Sequence, residues 1–377
     1  MNTTKPLQVS KPHFYQYDIL RFVACFMVVA VHAGALLDSS WGWSSAYHTF
    51  YNALFLCANG LFFLMSGHFN IKCKDDAQLP SYYFSKVKNL LVPALVYMFV
   101  QSLYEMYLMP EASTPGFLGF IKYYIKMLWS VYGSSHYWFI MMLFGFLLAT
   151  PFFAEFLVRL GKNGKRFFFA LGALWICLNY LSSNLALEIS WSYPFGTFLW
   201  MYCLGYFLTD AYIADVWKRF RAVICVSILV CFLLIPATIF AGWSVHAFDT
   251  SPFYVALSIL LYIAILGTSM NRLNLPEGGQ KKPPRLVSFV AARSYGIYMI
   301  HMVFISYLMF FVAPFPGKLT MLSPWLLAFA VFVLSILASW ILDISLVRLA
   351  QQALEQLRKA FNALRFKFVL TETPNKD

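Results

Sequence analysis

Charged residues are scarce in this 377-residue chain. They make up only 12% of it, and the acidic residues number 16, whereas about a quarter of the residues in soluble domains are charged. Hydrophobic residues account for 60% of the sequence and aromatic residues for 19%. This composition excludes an ordinary soluble domain and predicts an all-α, polytopic membrane protein.

Cysteine patterns and linker sequences are also lacking. The seven cysteines form no C-x-x-C pair and show no metal-ligand spacing, so we predict no metal site. No composition shift and no Pro/Ser-rich linker separates a second soluble domain. We therefore predict a single transmembrane domain over residues 1–348. A basic amphipathic tail over residues 349–377 is expected to lie on the inner membrane surface.

Apolar runs long enough to cross a hydrocarbon core of about 30 Å recur along the whole chain. The sequence thus predicts a bundle of about ten transmembrane helices. The predicted spans are residues 19–37, 50–69, 89–109, 137–157, 167–185, 196–213, 222–241, 253–270, 294–313 and 324–346.

The basic residues orient these spans. With a cytoplasmic N-terminus, all of the 28 Lys and Arg residues except Lys122, Lys126 and Lys318 fall on the inner side, as the positive-inside rule requires. This asymmetry predicts that both termini are cytoplasmic. It also accounts for the net charge of +12 without nucleic acid as a partner.

The first span contains two ionisable side chains, Arg21 and His32. Such residues inside a membrane segment usually have a function. Eleven residues make almost three helical turns, so both side chains lie on one face, with His32 roughly 16 Å deeper than Arg21. Asp18 lies one turn before Arg21 and can pair with it. For Arg21 alone, a positive-inside anchor is an equally good interpretation.

A similar arrangement occurs in the ninth span, where Arg293 precedes His301 by about two turns. Tyr298 and His301 are spaced i,i+3 and share a face. Both could instead be polar groups of helix packing. Ser66 marks the inner end of the second span, and His136 marks the outer start of the fourth.

Four motifs in this order resemble a known family. They are Arg21-x10-His32, FFLMSG at 62–67, HYWF at 136–139 and SYGIYMIH at 294–301. Over roughly residues 14–345 the chain resembles the acyltransferase family 3 integral membrane O-acyltransferases. The family commonly has arginines before the proline of its third helix, whereas this chain has Lys86 and Lys88. Lysine contacts phosphate only as a point charge.

The resemblance implies transfer of an acyl group from cytoplasmic acyl-CoA to a hydroxyl of a cell-surface glycan or lipid-linked sugar. By analogy the group is acetyl, the membrane is the bacterial inner membrane, and membrane lipids are the only other partners. It implies no cofactor beyond the donor substrate.

We assign the predicted roles by position. The catalytic candidates are His32, Arg21, His301 and Tyr298. The acyl-CoA-binding candidates, at the inner side, are Arg21, Lys86, Lys88, Arg293 and Ser66. The acceptor-binding candidates, at the outer side, are His136, Trp138 and Trp129. Most of the 11 tryptophans lie near the outer surface in this topology, either to stack on sugars or as a thick aromatic belt.

A transporter that uses His32 and His301 as a proton relay is the main alternative. Transporter sites also lie at mid-membrane on interrupted helices. However, acidic residues inside the spans are scarce, and Glu105 and Asp343 both lie close to helix ends. The two halves of the chain show no convincing repeat. The sequence therefore favours the enzyme.

Overall fold

The computed structural model describes residues 13–35, 45–109, 116–129, 136–187, 195–243, 250–273, 282–312 and 323–371. These residues form helices and short connections, without a strand among them. The prediction of an all-α membrane bundle is confirmed. The helices are α1 (Tyr15–Ala35), α2 (Ser45–Phe55), α3 (Ala58–Asn70), α4 (Leu79–Lys86), α5 (Val92–Leu103), α6 (Phe117–Trp129), α7 (Trp138–Arg159), α8 (Lys162–Leu185), α9 (Thr197–Phe207), α10 (Asp210–Phe240), α11 (Pro252–Leu273), α12 (Arg285–Ala291), α13 (Ser294–Val312), α14 (Ser323–Leu342) and α15 (Arg348–Thr371).

Eight helical segments among the described residues are long and apolar enough to cross a membrane. A ninth results if α12 and α13, which meet at an angle of 76°, count as one bent span. Several segments are composite. The third span runs over Asp76–Leu108 and includes α4, α5 and the π-helical turns Val87–Leu91 and Tyr104–Leu108. The chain is therefore a multi-pass membrane protein, and the side on which its termini lie stays a prediction.

The predicted sixth span, residues 196–213, differs from the structure. It corresponds to α9, which has only 11 residues and is about 16 Å long, too short to cross the hydrocarbon core alone. The Thr209 side chain accepts a hydrogen bond from the Tyr212 backbone N–H at 3.3 Å and so caps the start of α10. The hydropathy of residues 196–213 predicts one continuous apolar span, because hydropathy does not indicate where a helix is capped.

Helix α1 lies at the centre of the bundle. It contacts α2, α3, α11, α12, α13 and α14, and Leu20, Ala24 and Val29 on it are completely buried. Because so many helices surround it, polar side chains on α1 face protein rather than lipid.

Helices α3 and α9 approach each other backbone to backbone. A Cβ atom on Gly67 would overlap the carbonyl oxygen of Tyr202, and one on Gly205 would overlap that of Leu64. Glycine at both crossing points permits this close approach, as at many membrane helix interfaces. The crossing fixes the C-terminal half of α3, which carries Ser66.

The C-terminal helix α15 continues α14 through the π-helical turn Asp343–Val347. Its first turns pack against α5. Lys88 Nζ lies 2.5 Å from Glu355 Oε1, and Gln351 Nε2 donates to the Lys88 carbonyl at 3.0 Å. Beyond this contact Leu357, Phe361 and Leu364 are exposed. The domain boundary at residue 348 and the placement of the tail on the membrane stay predictions.

Candidate active site

Three histidines from distant parts of the chain meet inside the bundle. The ring centroids of His32 and His301 lie 5.1 Å apart, those of His136 and His301 lie 4.8 Å apart, and those of His32 and His136 lie 6.4 Å apart. His136 is 5% exposed and His301 is fully buried, whereas His32 is partly exposed. We call these three residues the histidine cluster.

The start of α13 at Ser294 determines how far His301 lies inside the bundle. The chain bends by 76° between α12 and α13, and α13 then runs through Tyr298 to His301 in two turns. Cys25 Sγ donates to the Ser294 carbonyl at 3.7 Å. This contact ties α1, which carries His32, to the beginning of α13.

Backbone carbonyls fix the tautomers of two of the histidines. His301 Nδ1 lies 2.5 Å from the Tyr298 carbonyl oxygen, and His136 Nε2 lies 3.1 Å from that of Met299. A carbonyl oxygen only accepts, so each of these nitrogens carries the proton. In the neutral rings the lone pairs lie on His301 Nε2 and His136 Nδ1. Both atoms are buried without a hydrogen-bond partner in the described part of the chain.

Tyr298 is hydrogen-bonded to both His136 and His301. Its hydroxyl donates to the His136 carbonyl, and its own carbonyl accepts from His301. Its ring centroid lies 5.6 Å from that of His136 and 5.7 Å from that of His301. Tyr298 therefore lies beside both histidines, with its hydroxyl bonded to the backbone.

An apolar cavity of about 140 Å³ reaches Tyr298 from the start of α13. It passes Ser66 and Ser294, the two hydroxyl groups nearest the inner end of the bundle in the predicted topology. The lining residues are Phe62, Met65, Ser66, Phe139, Ile140, Leu143, Ser294, Tyr295 and Tyr298. Through Tyr298, whose ring lies beside those of His136 and His301, the cavity borders the histidine cluster.

The two arginines predicted to bind the donor have different partners. Arg21 Nη1 lies 3.5 Å from Asp18 Oδ1, and its guanidinium lies 5.5 Å from the centroid of Phe69. Arg293 Nη1 donates to the Phe289 carbonyl at 2.8 Å, and its guanidinium stacks 3.7 Å from the Phe289 ring. The Arg21 side chain keeps 31% of its surface exposed, which leaves room for a ligand.

The two predicted lysines also have protein partners. Lys86 Nζ donates to Asn70 Oδ1 at 2.5 Å. Lys88 pairs with Glu355 on α15. A phosphate at Lys88 would therefore compete with the carboxylate of Glu355, whereas Lys86 has a neutral partner.

The predicted acceptor-binding residues are dispersed. His136 belongs to the histidine cluster and does not lie at the outer surface. Trp138 packs against Phe198, with centroids 5.4 Å apart, and Trp129 is 92% exposed at the end of α6. Trp41, Trp43 and Trp191 lie outside the described residues.

Sequence reasoning missed a second polar network at the inner end of α1. The Tyr17 hydroxyl donates to Asp210 Oδ1 at 2.7 Å and lies 2.9 Å from His68 Nε2. His68 Nδ1 lies 3.3 Å from the Leu208 carbonyl. The signal that could have found it is the presence of polar residues at the ends of apolar runs.

It also missed the buried Gln101 and assigned no role to Tyr137, which belongs to the HYWF motif and lies next to His136. The Tyr137 hydroxyl donates to Gln101 Oε1 and also lies 3.2 Å from the Met299 carbonyl. An amide within an otherwise apolar run was the available signal for Gln101.

Comparison with known proteins identifies one family. A family model for an acyltransferase domain, acyltransferase family 3, matches residues 14–344. Neither the curated proteins nor the solved structures contain a match to the chain.

Proposed function

The chain belongs to acyltransferase family 3, and on that premise we propose that this membrane acyltransferase transfers an acyl group, acetyl by analogy, from acyl-CoA to a sugar hydroxyl. The donor is cytoplasmic. The acceptor is a cell-surface glycan or a lipid-linked sugar, and the enzyme works in the bacterial inner membrane without a further cofactor.

The observation that carries this proposal is the pair of buried, unpartnered lone pairs on His301 Nε2 and His136 Nδ1. Two such nitrogens cannot satisfy each other, because each needs a proton donor. A hydroxyl group supplies that donor. The histidine cluster is therefore suited to bind an alcohol and to accept its proton.

We assign the general base to His32. It retains more accessible surface than His136 and His301, which makes it the member of the cluster that a substrate would reach most readily. The acceptor oxygen bonds to the thioester carbonyl carbon as the proton moves to the imidazole. The carbon–sulfur bond then breaks, and the proton passes to the CoA sulfur, so that no net proton is consumed.

The apolar cavity suits the donor's thiol-ended arm. It leads past Ser66 to Tyr298, next to the histidine cluster. Arg21, Arg293 and Lys86 lie at the predicted inner side, where cations bind phosphate through charge-assisted hydrogen bonds. The phosphates would remain outside the cavity while the thioester reached the histidines.

Tyr298 positions the cluster, because its hydroxyl and its carbonyl bind the His136 backbone and the His301 ring respectively. On the acceptor side, Trp138 and the exposed Trp129 offer ring faces for sugars. The free nitrogen of His136 would accept a hydrogen bond from a second hydroxyl of the sugar, because the reacting hydroxyl gives its only proton to His32.

The donor assignment is tested with purified protein in lipid nanodiscs and acetyl-CoA labelled in the acetyl group. We expect slow hydrolysis of the label without acceptor and faster loss when membrane extracts containing glycan are added. Absence of both binding and turnover in protein that elutes as a single folded species would overturn the acyl-CoA proposal. Uptake of protons coupled to solute in vesicles would favour the transporter.

A further inference from the structure

A hydrogen-bonded chain links the histidine cluster to a carboxylate on the π-helical turn Tyr104–Leu108, which follows α5. The Tyr137 hydroxyl donates to Gln101 Oε1, and Gln101 Nε2 donates to Glu105 Oε1 at 2.7 Å. The hydroxyl of Tyr123 on α6 donates to Glu105 Oε2. We call Tyr137, Gln101 and Glu105 the polar chain.

Each member of the polar chain is placed by a specific local feature. Gln101 and Glu105 are four residues apart, so their side chains share a helix face. Glu105 belongs to the π-helical turn Tyr104–Leu108, and π-helical turns occur frequently at functional sites. Tyr137 is fully buried and Gln101 is 5% exposed.

Polar groups buried in a membrane protein are costly unless they are fully hydrogen-bonded. In the polar chain each donor is paired with an acceptor. Both carboxylate oxygens of Glu105 accept, the Gln101 amide donates at one end and accepts at the other, and Tyr137 donates. This consistency fixes the orientation of the Gln101 amide and, through it, the Tyr137 ring.

The polar chain ends at the backbone that carries His136. Tyr137 follows His136 directly, and both side chains converge on the Met299 carbonyl, His136 Nε2 at 3.1 Å and the Tyr137 hydroxyl at 3.2 Å. The free Nδ1 of His136 depends on this arrangement, since the bond from Nε2 to Met299 selects the tautomer.

We propose that Gln101 and Glu105 are positioning residues for acyl transfer. They hold Tyr137, and Tyr137 holds His136 so that its unprotonated nitrogen faces the other two histidines. Neither residue touches the substrate. The inference rests on the proposed function, because positioning has a consequence only if the histidine cluster carries out the chemistry.

The test compares two substitutions of Glu105 in the acyl-transfer assay. Glu105→Gln keeps groups that can pair with Gln101 and Tyr123, whereas Glu105→Leu removes both contacts. We expect Glu105→Leu to lower kcat by about ten- to a hundredfold with the donor KM changed less than about threefold. We expect Glu105→Gln to retain kcat within about threefold, since interactions that position the catalytic groups change kcat more than KM.

Glu155→Leu is the matched control, because Glu155 is an exposed glutamate on α7, with 53% of its side chain accessible. Its kcat and KM should match the wild type. Tyr137→Phe keeps the ring and removes only the hydroxyl, so it should reproduce the kcat loss of Glu105→Leu. This variant also keeps the test decisive if Glu105→Leu does not reach the membrane.

Several outcomes would overturn the inference. Wild-type kcat in both Glu105→Leu and Tyr137→Phe would show that the polar chain positions nothing. Equal losses in Glu105→Gln and Glu105→Leu would show that the negative charge, and not the hydrogen bonding, is required. If the wild type itself shows no transfer, the proposed function fails, which is a separate result.

A double-substitution cycle adds an independent readout. Gln101→Leu and Glu105→Leu each break the same polar chain, so the double variant should be about as slow as the slower single variant. Independent sites would instead give multiplied losses. Multiplied losses would contradict a single chain that acts on His136.

Discussion

His136 Nε2 lies 3.1 Å from the carbonyl oxygen of Met299, so that His136 Nδ1 keeps its lone pair inside the histidine cluster. This relationship places a residue predicted to lie at the outer surface beside His301. It also allows two interpretations of His136 to be distinguished by experiment. A residue that merely decorated the membrane surface would tolerate substitution, whereas a member of the cluster would not.

Replacing His136 with alanine should therefore lower acyl transfer by about a hundredfold, because His136 contacts the sugar and a misplacement of the reacting groups by about 1 Å can cost that much. His48→Ala is a suitable control, because His48 lies on α2, with its ring nitrogen 3.2 Å from the amide of Asn52. The rates of both variants are compared at equal membrane levels. Wild-type transfer by His136→Ala would remove this residue from the reaction.

Arg21 should bind the donor phosphates. Its side chain is partly exposed and pairs with Asp18 at 3.5 Å, a distance longer than a close ion pair. A hydrogen bond to a charged group contributes about 1.5–3 kcal/mol, so Arg21→Ala should weaken acyl-CoA binding by roughly ten- to a hundredfold. Arg159→Ala, at a side chain that is 83% exposed, should not. Equal donor affinity in the two variants, measured by calorimetry, would refute the phosphate contact.

The apolar cavity should admit the donor. Replacing Ser66 with leucine places a larger side chain on its lining, so we expect a rise in the donor KM with the histidine cluster intact. Ser183→Leu, at an exposed position on α8, is the control. An unchanged donor KM in folded Ser66→Leu would show that the donor takes another path.

The crossing of α3 and α9 should depend on glycine. A Cβ atom at Gly67 would overlap the Tyr202 carbonyl oxygen, whereas one at Gly145 meets no atom within 4 Å. Overpacking usually costs about 1–3 kcal/mol, so Gly67→Ala should lower the thermal midpoint in detergent and Gly145→Ala should not. Equal thermal midpoints in the two variants would mean that α3 and α9 can move apart without loss of stability.

The sequence predicts those features that depend on local geometry. His32 and Arg21 could be placed on one face because helical periodicity is a property of consecutive residues. The same argument holds for Tyr298 and His301. The all-α bundle follows from hydropathy, although the ten predicted spans compare with eight or nine candidate spans among the described residues.

Features that depend on tertiary packing could not be predicted in this way. The sequence predicts His136 at the outer start of a helix. The order of apolar runs indicates where a helix begins, but it does not show how deeply the first residues of that helix lie in the bundle. The predicted sixth span is broken where α9 ends at Phe207 and the Thr209 side chain caps the start of α10. Glu105 is four residues from Gln101, so helical spacing could have paired these two, but Tyr137, which directly precedes α7, reaches Gln101 only through tertiary packing.

The central claim is that the histidine cluster carries out acyl transfer, with His32 as the base. The most direct measurement is the rate of acetyl transfer from labelled acetyl-CoA by purified wild-type protein, His32→Ala and His48→Ala in nanodiscs with glycan acceptor. We predict that transfer by His32→Ala falls to background while His48→Ala retains the wild-type rate. Full transfer by folded His32→Ala would contradict the account.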